Sequence, residues 1–494
     1  MSSLFKGVAL FVALTCGVWI AVLWRWEVTA RDMSLSDFVI YLGVLPLTVF
    51  ALVLLLRRAS RGALQRQAAA AAAGLSAVPA ARTTGTDDDT QRHATVQLLA
   101  ASLMCAAGTS AAELLAAAKD GAPRPALDPE LRDDDGLPVF TARIAVLDPA
   151  SLAPPLASLM EAARARHAEW AGVVPQEHVQ RALAALQEPL SQAVMALAPW
   201  AARFATPAGG APGCRVRVLI GLPADWTPFE QALGHAFATA VVATAEPSAI
   251  PAACLEVTSG TDTGEELLLQ ADRLLRALAR EQLSEPLIVA ACYSAIGEDA
   301  VDAMERGGSL FSSAKRPKGR IPGEAAAALV LAGADWPAAD TEGSVPHLYR
   351  PTVLRRGKSV DAPGRIGSDL VSQAISQALS ASGLPSEAIC SLACDADQHT
   401  ARGAELHGGA HGLLPHLDSG EDIHLAGTVT GAVDAVSALL IVACAAECAT
   451  AGGQPCLAVT VGDPFTRMAL VVLPDRPLEP GGATPAAAPA PATK

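Results

Sequence analysis

Two long uncharged apolar runs near the N-terminus constrain this chain more than any other feature of its sequence. Residues 7–24 have the sequence GVALFVALTCGVWIAVLW, and residues 38–56 have the sequence FVIYLGVLPLTVFALVLLL. A helix of about 20 apolar residues is long enough to cross the hydrocarbon core of a bilayer. Pro46 lies inside the second run, where a transmembrane helix tolerates proline. The sequence therefore predicts a transmembrane hairpin over residues 1–60, with helices at about 7–24 and 38–56.

The charges around these runs predict the orientation of the hairpin. Four arginines follow the second run without an intervening acidic residue: Arg57, Arg58, Arg61 and Arg66. Because Lys and Arg concentrate on the cytoplasmic side of a membrane, both termini and the rest of the chain are expected in the cytoplasm. A cleaved signal peptide is the alternative for the first run, but no small-residue cleavage pattern follows it.

The segments on either side of the main body have compositions that do not form a core. Residues 61–93 are rich in Ala, Thr, Gly and Asp, which predicts a linker. Residues 474–494 are rich in Pro and Ala, which predicts a disordered tail. The folded body is therefore expected at 94–473, with halves at about 94–333 and 334–473. The formal net charge of the chain, -14, argues against nucleic-acid binding, which needs many Lys and Arg to neutralise phosphates.

Helical and strand patterns alternate within the body, which indicates a layered α/β fold. Helices are predicted over residues 94–108, 111–118 and 264–282. Short strands are predicted over residues 138–147 and 214–223. Continuous apolar strands, typical of sheets buried on both faces, are predicted over residues 286–294, 324–333, 456–464 and 467–474.

Cysteine and histidine spacings do not predict a metal centre. The ten cysteines lie mostly among apolar residues, where a free thiol packs as a small hydrophobic group. The segment HGGAHGLLPHLD, residues 407–418, contains four residues of metal-ligating type: His407, His411, His416 and Asp418. Its glycines predict a solvated loop instead of a helix that presents two histidines on one face. No metal or cofactor is therefore expected.

The basic run KRPKGR, residues 315–320, is a candidate contact for an acidic partner or a phosphopantetheine carrier. It contributes Lys315, Arg316 and Lys318. A solvated turn between a helix and a strand is the alternative for this run.

Three segments of the second half resemble β-ketoacyl synthases. Residues 287–333 contain a predicted buried strand, a helix, the basic loop and the sequence PGEAAAALVL, in the order found in these enzymes. Residues 423–444, which include LAGTVTGAVDA, resemble the turn that the family writes as GHTEGAAG, and residues 454–473 resemble its final β-hairpin. The resemblance implies a thiolase-like fold, with helices layered around two five-stranded sheets, and a homodimer of such bodies.

The histidines that the resemblance implies are absent from the matching positions. Condensing enzymes of this family use a cysteine nucleophile and two histidines. Thr428 occupies the position of one histidine, and a threonine cannot replace an imidazole. The loop that should hold the other histidine, residues 394–406, contains only His399, displaced and without the expected glycines. Thr428 therefore marks a lost active-site position.

The nucleophile that the resemblance implies is also absent. It should begin the helix before the strand at 286–294, and that helix opens with TSGTDTG, which contains no cysteine. Cys254 and Cys292 lie on predicted strands, and Ser259 or Thr263 would act only with a neighbouring base. A hydroxyl at this place is typical of a helix cap. The sequence thus predicts no catalytic residue and a fold retained without its chemistry.

A second resemblance lies in the first half. Residues 116–144, AAAKDGAPRPALDPELRDDDGLPVFTARI, are similar to the type VI lipase adapter family of Proteobacteria, a former family of unknown function. The matching residues are Pro125, Leu127, Asp128, Asp133, Asp134, Asp135, Gly136, Pro138 and Val139. The resemblance implies a non-enzymatic protein of the bacterial inner membrane that binds a lipase effector. It would help to load that effector on the spike protein of a type VI secretion system, with Asp133, Asp134 and Asp135 as candidate contacts.

Together these features predict a membrane-anchored, non-catalytic adapter. Two alternatives stay open: a diverged β-ketoacyl synthase-like enzyme acting on carrier-bound acyl chains, and a regulatory pseudo-subunit of a ketosynthase. An acyl group transferred to Cys254, Cys292 or Ser259 would favour the enzyme. Co-purification with a ketosynthase would favour the pseudo-subunit.

Overall fold

The computed structural model describes residues 95–122, 124–204, 214–245, 250–337, 344–362 and 367–475. The predicted transmembrane hairpin, the linker that follows it and the tail beyond Asp475 lie outside the described residues. The helices are α1 (Ala111–Asp120), α2 (Ala153–Arg166), α3 (Glu177–Met195), α4 (Ala201–Phe204), α5 (Pro228–Thr244), α6 (Gly264–Arg280), α7 (Glu298–Arg306), α8 (Asp369–Ser382), α9 (Thr400–His411), α10 (Gly427–Thr430) and α11 (Ser437–Gly452). The strands are β1 (Val96–Cys105), β2 (Ala126–Arg132), β3 (Pro138–Thr141), β4 (Val216–Gly221), β5 (Leu255–Gly260), β6 (Leu287–Ser294), β7 (Glu324–Gly333), β8 (His347–Leu348), β9 (Thr352–Arg355), β10 (Ser391–Cys394), β11 (Ile423–Leu425), β12 (Cys456–Thr460) and β13 (Thr466–Leu473).

The main sheet contains the same five-stranded arrangement twice. The first half has the order β5-β4-β6-β7-β1, and the second half has the order β11-β10-β12-β13-β9. In each half the first three strands run parallel and the last two pairings are antiparallel. Strand β8 pairs with both β1 and β13 and joins the halves into an eleven-stranded sheet within the described residues. The described body is therefore built from two copies of one strand arrangement.

Three apolar clusters divide the body into five layers. Helices α1, α6 and α11 pack between the two halves of the sheet. Helices α3 and α5 cover the outer face of the first half, and α8 and α9 cover the outer face of the second. Consecutive strand residues such as Ile288 and Val289 belong to different clusters, because alternate side chains point to opposite faces. Burial on both faces explains the uninterrupted apolar strands, and it confirms the predicted layered α/β fold.

The first segment of the body corrects a prediction. Residues 94–108 were expected to form a helix, but Val96–Cys105 form the strand β1. Leu98 and Leu103 pack in the central cluster, whereas Leu99 and Met104 face the outer one. An Ala-rich segment that is apolar on both faces has no clear period, so pairing with β7 decided its conformation.

The His-rich segment corrects a second prediction. His407 and His411 lie on the helix α9, not in a loop. Close packing explains why glycine is present at position 409. A Cβ at Gly409 would lie 2.7 Å from Val371 Cβ of α8. Glycine therefore allows two helices to pack closely and does not make the segment flexible. His416 lies beyond the helix, with its Nε2 2.7 Å from the Ile389 carbonyl oxygen.

The remaining predicted elements agree in type with the structure. Helices α1 and α6 and strands β3, β4, β6, β7, β12 and β13 all overlap the segments proposed for them. Among the described residues, one helical stretch, Asp434–Gly452, is long and apolar enough to span a membrane, with a mean hydropathy of 1.8. Since 61% of its apolar window is buried inside the protein, this stretch is a core helix of the central layer.

Candidate functional site: an acidic cavity between the halves

A cavity of about 420 Å³ lies where the strands of both halves end. The loops after β4, β5, β10 and β12 all contribute to its wall, and so do the segment between α10 and α11 and the first residues of α6. Ligands of α/β proteins bind at the carboxyl ends of parallel strands, where loops from separate strands converge. This acidic cavity is therefore the natural candidate for a functional site in this fold.

The cavity wall is strongly acidic. It contains seven carboxylates and one guanidinium, and among the described residues that line it there is no Cys, His or Lys. The carboxylates belong to Asp225, Asp262, Glu265, Asp395, Asp397, Asp434 and Asp463. A thiolate or an imidazole base is therefore missing from this wall, and the wall favours positive charge.

Glu265 lies in the first turn of α6 and is almost fully buried. Its Oε1 accepts a hydrogen bond of 2.8 Å from the Thr460 hydroxyl at the end of β12. Burial, followed by repulsion from Asp395, raises the pKa of Glu265 from 4.5 to about 7. Glu265 thus carries a proton for part of the time near neutral pH.

Asp395 follows β10 and is only 7% exposed. Its Oδ1 accepts hydrogen bonds from the backbone N–H groups of Val461 (2.6 Å) and Gly462 (3.0 Å). Its Oδ2 is buried and has no hydrogen-bond partner. Burial raises the pKa of Asp395 to about 6, although the two backbone donors oppose this change. One oxygen of this carboxylate is therefore held firmly, and the other is left without a donor.

The N-terminus of α6 is closed by its own side chains. Thr263 Oγ1 accepts from the Glu266 backbone N–H at 3.3 Å, and the Glu266 carboxylate accepts from the Thr263 backbone N–H at 3.3 Å. This reciprocal capping box satisfies two donors that a helix N-terminus otherwise offers to an anion. The predicted capping role of Thr263 is confirmed.

One carboxylate of the cavity is compensated. Asp434 makes an ion pair with Arg320 and lies next to Tyr293, which also lines the cavity. Burial opposes ionisation of Asp434, but Arg320 lowers its pKa below the usual value. Asp434 also has a φ of 31°, a left-handed conformation that non-glycine residues rarely adopt. The ion pair links the turn before α11 to Arg320, which precedes β7.

Thr428, the predicted lost active-site position, does not line the acidic cavity. Its hydroxyl donates a hydrogen bond of 2.7 Å to the Leu425 carbonyl oxygen, and it borders a second cavity of about 560 Å³. The glycines around it are required by close packing and by the backbone conformation. A Cβ at Gly427 would lie 2.1 Å from the Asp395 carbonyl oxygen, and Gly431 has a φ of 63°.

The other residues considered for catalysis are scattered. Cys254 and Cys292 are buried, and burial raises the pKa of Cys292 to about 12. His399 caps the N-terminus of α9 through its ring. Ser259 does have a neighbouring base, because its hydroxyl lies 3.1 Å from His235 Nδ1, but this pair is on the surface and outside the acidic cavity.

The two candidate partner-contact regions lie side by side. Lys315 makes an ion pair with Asp135. Asp133 shapes the turn of the β2–β3 hairpin, since its Oδ1 accepts from the backbone N–H groups of Asp135 and Leu137. The backbone N–H of Asp134 donates to Glu305, which also approaches Arg316 at 3.8 Å, and Lys318 is exposed. Segments predicted separately thus form one surface of mixed charge.

The buried carboxylate of Asp128 organises this hairpin. It accepts hydrogen bonds from the Thr141 hydroxyl at 2.8 Å and from the Arg143 guanidinium at 2.8 and 3.0 Å. Although burial opposes ionisation, these donors and two backbone N–H groups lower the pKa of Asp128 to about 2. Asp128 therefore has a structural role within the segment that resembles the lipase adapter family.

One reactive cluster was missed at the sequence level. Cys448 of α11 lies beside Cys456 of β12 and His424 of β11, and hydrogen bonds from these two residues lower the pKa of Cys448. His424 also borders the second cavity. The sequence predicts structural free thiols here, because a spacing of eight residues across a helix–strand turn is no recognised motif. Metal binding does not follow, since the described residues contain no group of three or more ligating side chains arranged to hold an ion.

Comparisons with known proteins support the fold. No family model matches the chain, and no curated protein sequence matches it. The structure is similar to a β-ketoacyl synthase from Burkholderia phymatum STM815, with a TM-score of 0.51 and 14% identity over 78% of this chain and 100% of that chain. It is also similar to the ketosynthase from module 6 of the bacillaene synthase from Bacillus subtilis 168, with a TM-score of 0.51 and 12% identity over 78% of this chain and 72% of that chain. The body therefore has the thiolase-like fold of ketosynthases. None of these comparisons concerns the lipase adapter family.

Proposed function

We propose that this chain is a ketosynthase-like protein that binds a partner and does not condense acyl groups. The observation that carries this proposal is the wall of the acidic cavity, whose described residues include no cysteine or histidine, whereas a condensing enzyme needs a nucleophile and its bases. Condensation also develops negative charge on the extender unit, and an acidic wall would oppose it. The capped N-terminus of α6 offers no thiolate. This combination supports a pseudo-subunit that pairs with an active ketosynthase.

The decisive experiment is an acylation assay on the full-length chain. Purified protein is incubated with acyl-CoA and with acyl carrier protein, and its mass is measured. No covalent acyl adduct is expected, whereas a ketosynthase treated in parallel should gain one. An adduct that disappears on Cys254→Ala, Cys292→Ala, Cys448→Ala or Ser259→Ala would overturn the proposal in favour of an enzyme.

A second candidate function is the membrane-anchored adapter for a lipase effector of a type VI secretion system. The surface of the β2–β3 region favours it. Three large apolar side chains are exposed there, Leu127 at 53%, Leu137 at 60% and Val146 at 82%. They lie within or next to the segment that resembles the adapter family, beside the charged residues of the hairpin. Exposed apolar side chains rimmed by charges are typical of protein-binding surfaces.

Co-purification distinguishes the two candidates. The chain is expressed in its native host with an affinity tag, and bound proteins are identified by mass. A ketosynthase among them supports the pseudo-subunit, and a lipase together with a spike protein supports the adapter. For the adapter, Leu137→Lys should abolish recovery of the lipase. Leu283→Lys is the matched control, because Leu283 is also exposed (45%) but lies outside this surface. Equal loss with both variants would contradict docking at the hairpin.

A further inference from the structure

We propose that Cys448 and Cys456, assisted by His424, form a reversible disulfide when the protein meets a hydroperoxide. Cys448 lies on α11, Cys456 begins the next strand, β12, and His424 lies on β11. The proposal goes beyond the proposed function, since binding a partner requires no reactive thiol. It assigns a modification site in the second half of the body.

The register of the sheet brings the three side chains together. On β10, Ser391 pairs with Cys456, and Ala393 pairs with His424 of the strand on the other side. Because residues two apart on a strand point to the same face, Cys456 and His424 share the face that packs against α11. Ala393 carries only a methyl group, which leaves room above the strand. Cys448 of α11 makes side-chain hydrogen bonds with both Cys456 and His424.

Exposure gives the two cysteines different roles. Cys448 is partly exposed, whereas Cys456 is fully buried. Hydrogen bonds from Cys456 and His424 lower the pKa of Cys448, and burial raises the pKa of Cys456. The hydrogen bond with Cys448 in turn raises the pKa of His424. A reachable thiolate beside an imidazolium is the form of cysteine that reacts with peroxides. Cys448 is therefore the residue oxidised first, and Cys456 is the residue that completes the disulfide.

The reaction balances with the hydroperoxide as the oxidant. The Cys448 thiolate attacks the outer oxygen of the hydroperoxide, the O–O bond breaks, and Cys448 becomes a sulfenic acid while the peroxide is reduced. His424 gives its proton to the departing oxygen, which leaves as water or an alcohol. The Cys456 thiol then attacks the Cys448 sulfur. The S–S bond forms, the S–O bond breaks, and the hydroxyl group leaves as water with the Cys456 proton.

Oxidation also changes the charge at the second cavity, which His424 borders. The Cys448 thiolate favours a charged imidazole, whereas a disulfide carries no charge. Burial and the neighbouring Lys119 oppose a charge on His424, and Asp422 favours it. Glu447 opposes the thiolate of Cys448. The disulfide therefore lowers the pKa of His424 and removes positive charge from the wall of the second cavity.

Peptide mass mapping of the full-length protein tests the proposal. Reduced protein is treated near neutral pH with a small excess of hydrogen peroxide, and the remaining thiols are blocked with N-ethylmaleimide. Cleavage after Glu447 leaves Cys448 and Cys456 as the two cysteines of one fragment. This fragment should escape the blocking reagent and lose about 2 Da, the mass of two hydrogens, and dithiothreitol should reverse the change. A fragment that keeps both thiols, or a disulfide with another cysteine such as Cys390 or Cys444, would overturn the proposal.

Three variants separate the roles of the residues. Cys456→Ser should stop at a sulfenic acid on Cys448, which dimedone captures, whereas Cys448→Ser should leave Cys456 reduced. Cys390→Ser is the control, because it removes an exposed thiol and should leave disulfide formation unchanged. A sulfenic acid on Cys456 instead of Cys448 would overturn the assigned order.

The role of His424 has its own readout. In the Cys456→Ser background, His424→Asn should slow capture of the Cys448 sulfenic acid at least about tenfold below neutral pH, since losing one unit of the pKa shift lowers the thiolate fraction tenfold. The rate should recover as the pH rises and ionises the thiol. An unchanged pH profile would overturn the participation of His424. None of these outcomes affects the non-condensing proposal, which fails only if an acyl adduct forms.

Discussion

Replacing Glu265 by Gln should change how the stability of the protein depends on pH. The pKa of Glu265 rises from 4.5 to about 7 on folding. A tenfold change in proton affinity corresponds to about 1.4 kcal/mol, so this rise is worth about 3 kcal/mol. Glu265 is 3% exposed, so water screens little of this effect. Glutamine keeps the acceptor for the Thr460 hydroxyl and removes only the charge.

The sign follows from proton binding. The folded state holds the proton of Glu265 more tightly than the unfolded state does, so stability from this group is fully present below pH 4.5. It is lost as the pH rises through about 7. The wild-type chain should therefore lose about 3 kcal/mol between pH 4.5 and 8 that Glu265→Gln does not lose. The free energy of unfolding of the variant therefore increases relative to that of wild type as the pH rises.

Urea unfolding followed by tryptophan fluorescence measures this difference at each pH. Glu266→Gln is a matched control, since Glu266 is the next residue along α6, exposed, and able to keep its cap as glutamine. Its profile should run parallel to that of wild type. If the pH profile of Glu265→Gln also ran parallel to that of wild type, the reasoning would be refuted. That result would mean that the cavity solvates a charged Glu265 as well as water does.

Three further predictions concern packing and reactivity. Arg181→Met should destabilise the protein by about 3–5 kcal/mol in urea unfolding, because it leaves the fully buried Glu324 without its bidentate partner; a loss below 1 kcal/mol would contradict this. Gly427→Ala should cost about 1–3 kcal/mol by the same measurement, since its Cβ would meet a backbone oxygen at 2.1 Å. Iodoacetamide at pH 6.5 should modify Cys448 before Cys390, because a neighbouring thiol and imidazole lower the pKa of Cys448. Peptide mass mapping gives the order in which the two cysteines are labelled. Faster labelling of Cys390 would contradict the prediction, because it would mean that Cys448 is inaccessible or protonated.

The elements with a clear period could be predicted, and those without one could not. Helix α6 has apolar residues at three- and four-residue steps, and β6 and β7 are uninterrupted apolar runs, so each specifies its own conformation. Strand β1 has a similar apolar content but many alanines, which are compatible with either conformation. Its pairing with a strand more than two hundred residues away decided the outcome.

The candidate site was only partly visible for a related reason. Thr428 could be matched to a histidine position of the resembling family from the sequence, because that match needs only one aligned turn. The acidic cavity could not be predicted, because its carboxylates come from separate loops after strands of both halves. Each acidic residue, taken alone, resembles an ordinary solvated residue at the end of a strand or the start of a helix. Asp395 is fixed in the site by the backbone N–H groups of Val461 and Gly462, which follow β12 and are distant from it along the chain.

The sequence by itself determined the layered α/β class, the type of most buried elements and the absence of a cysteine at the start of α6. These properties depend on neighbours along the chain, where side-chain period and composition act directly. The tertiary structure alone decided the duplicated strand order, the strand conformation of β1 and the gathering of seven carboxylates around one cavity. These properties depend on contacts between residues far apart in the chain, and the pKa values of Glu265 and Asp395 follow from that shared burial.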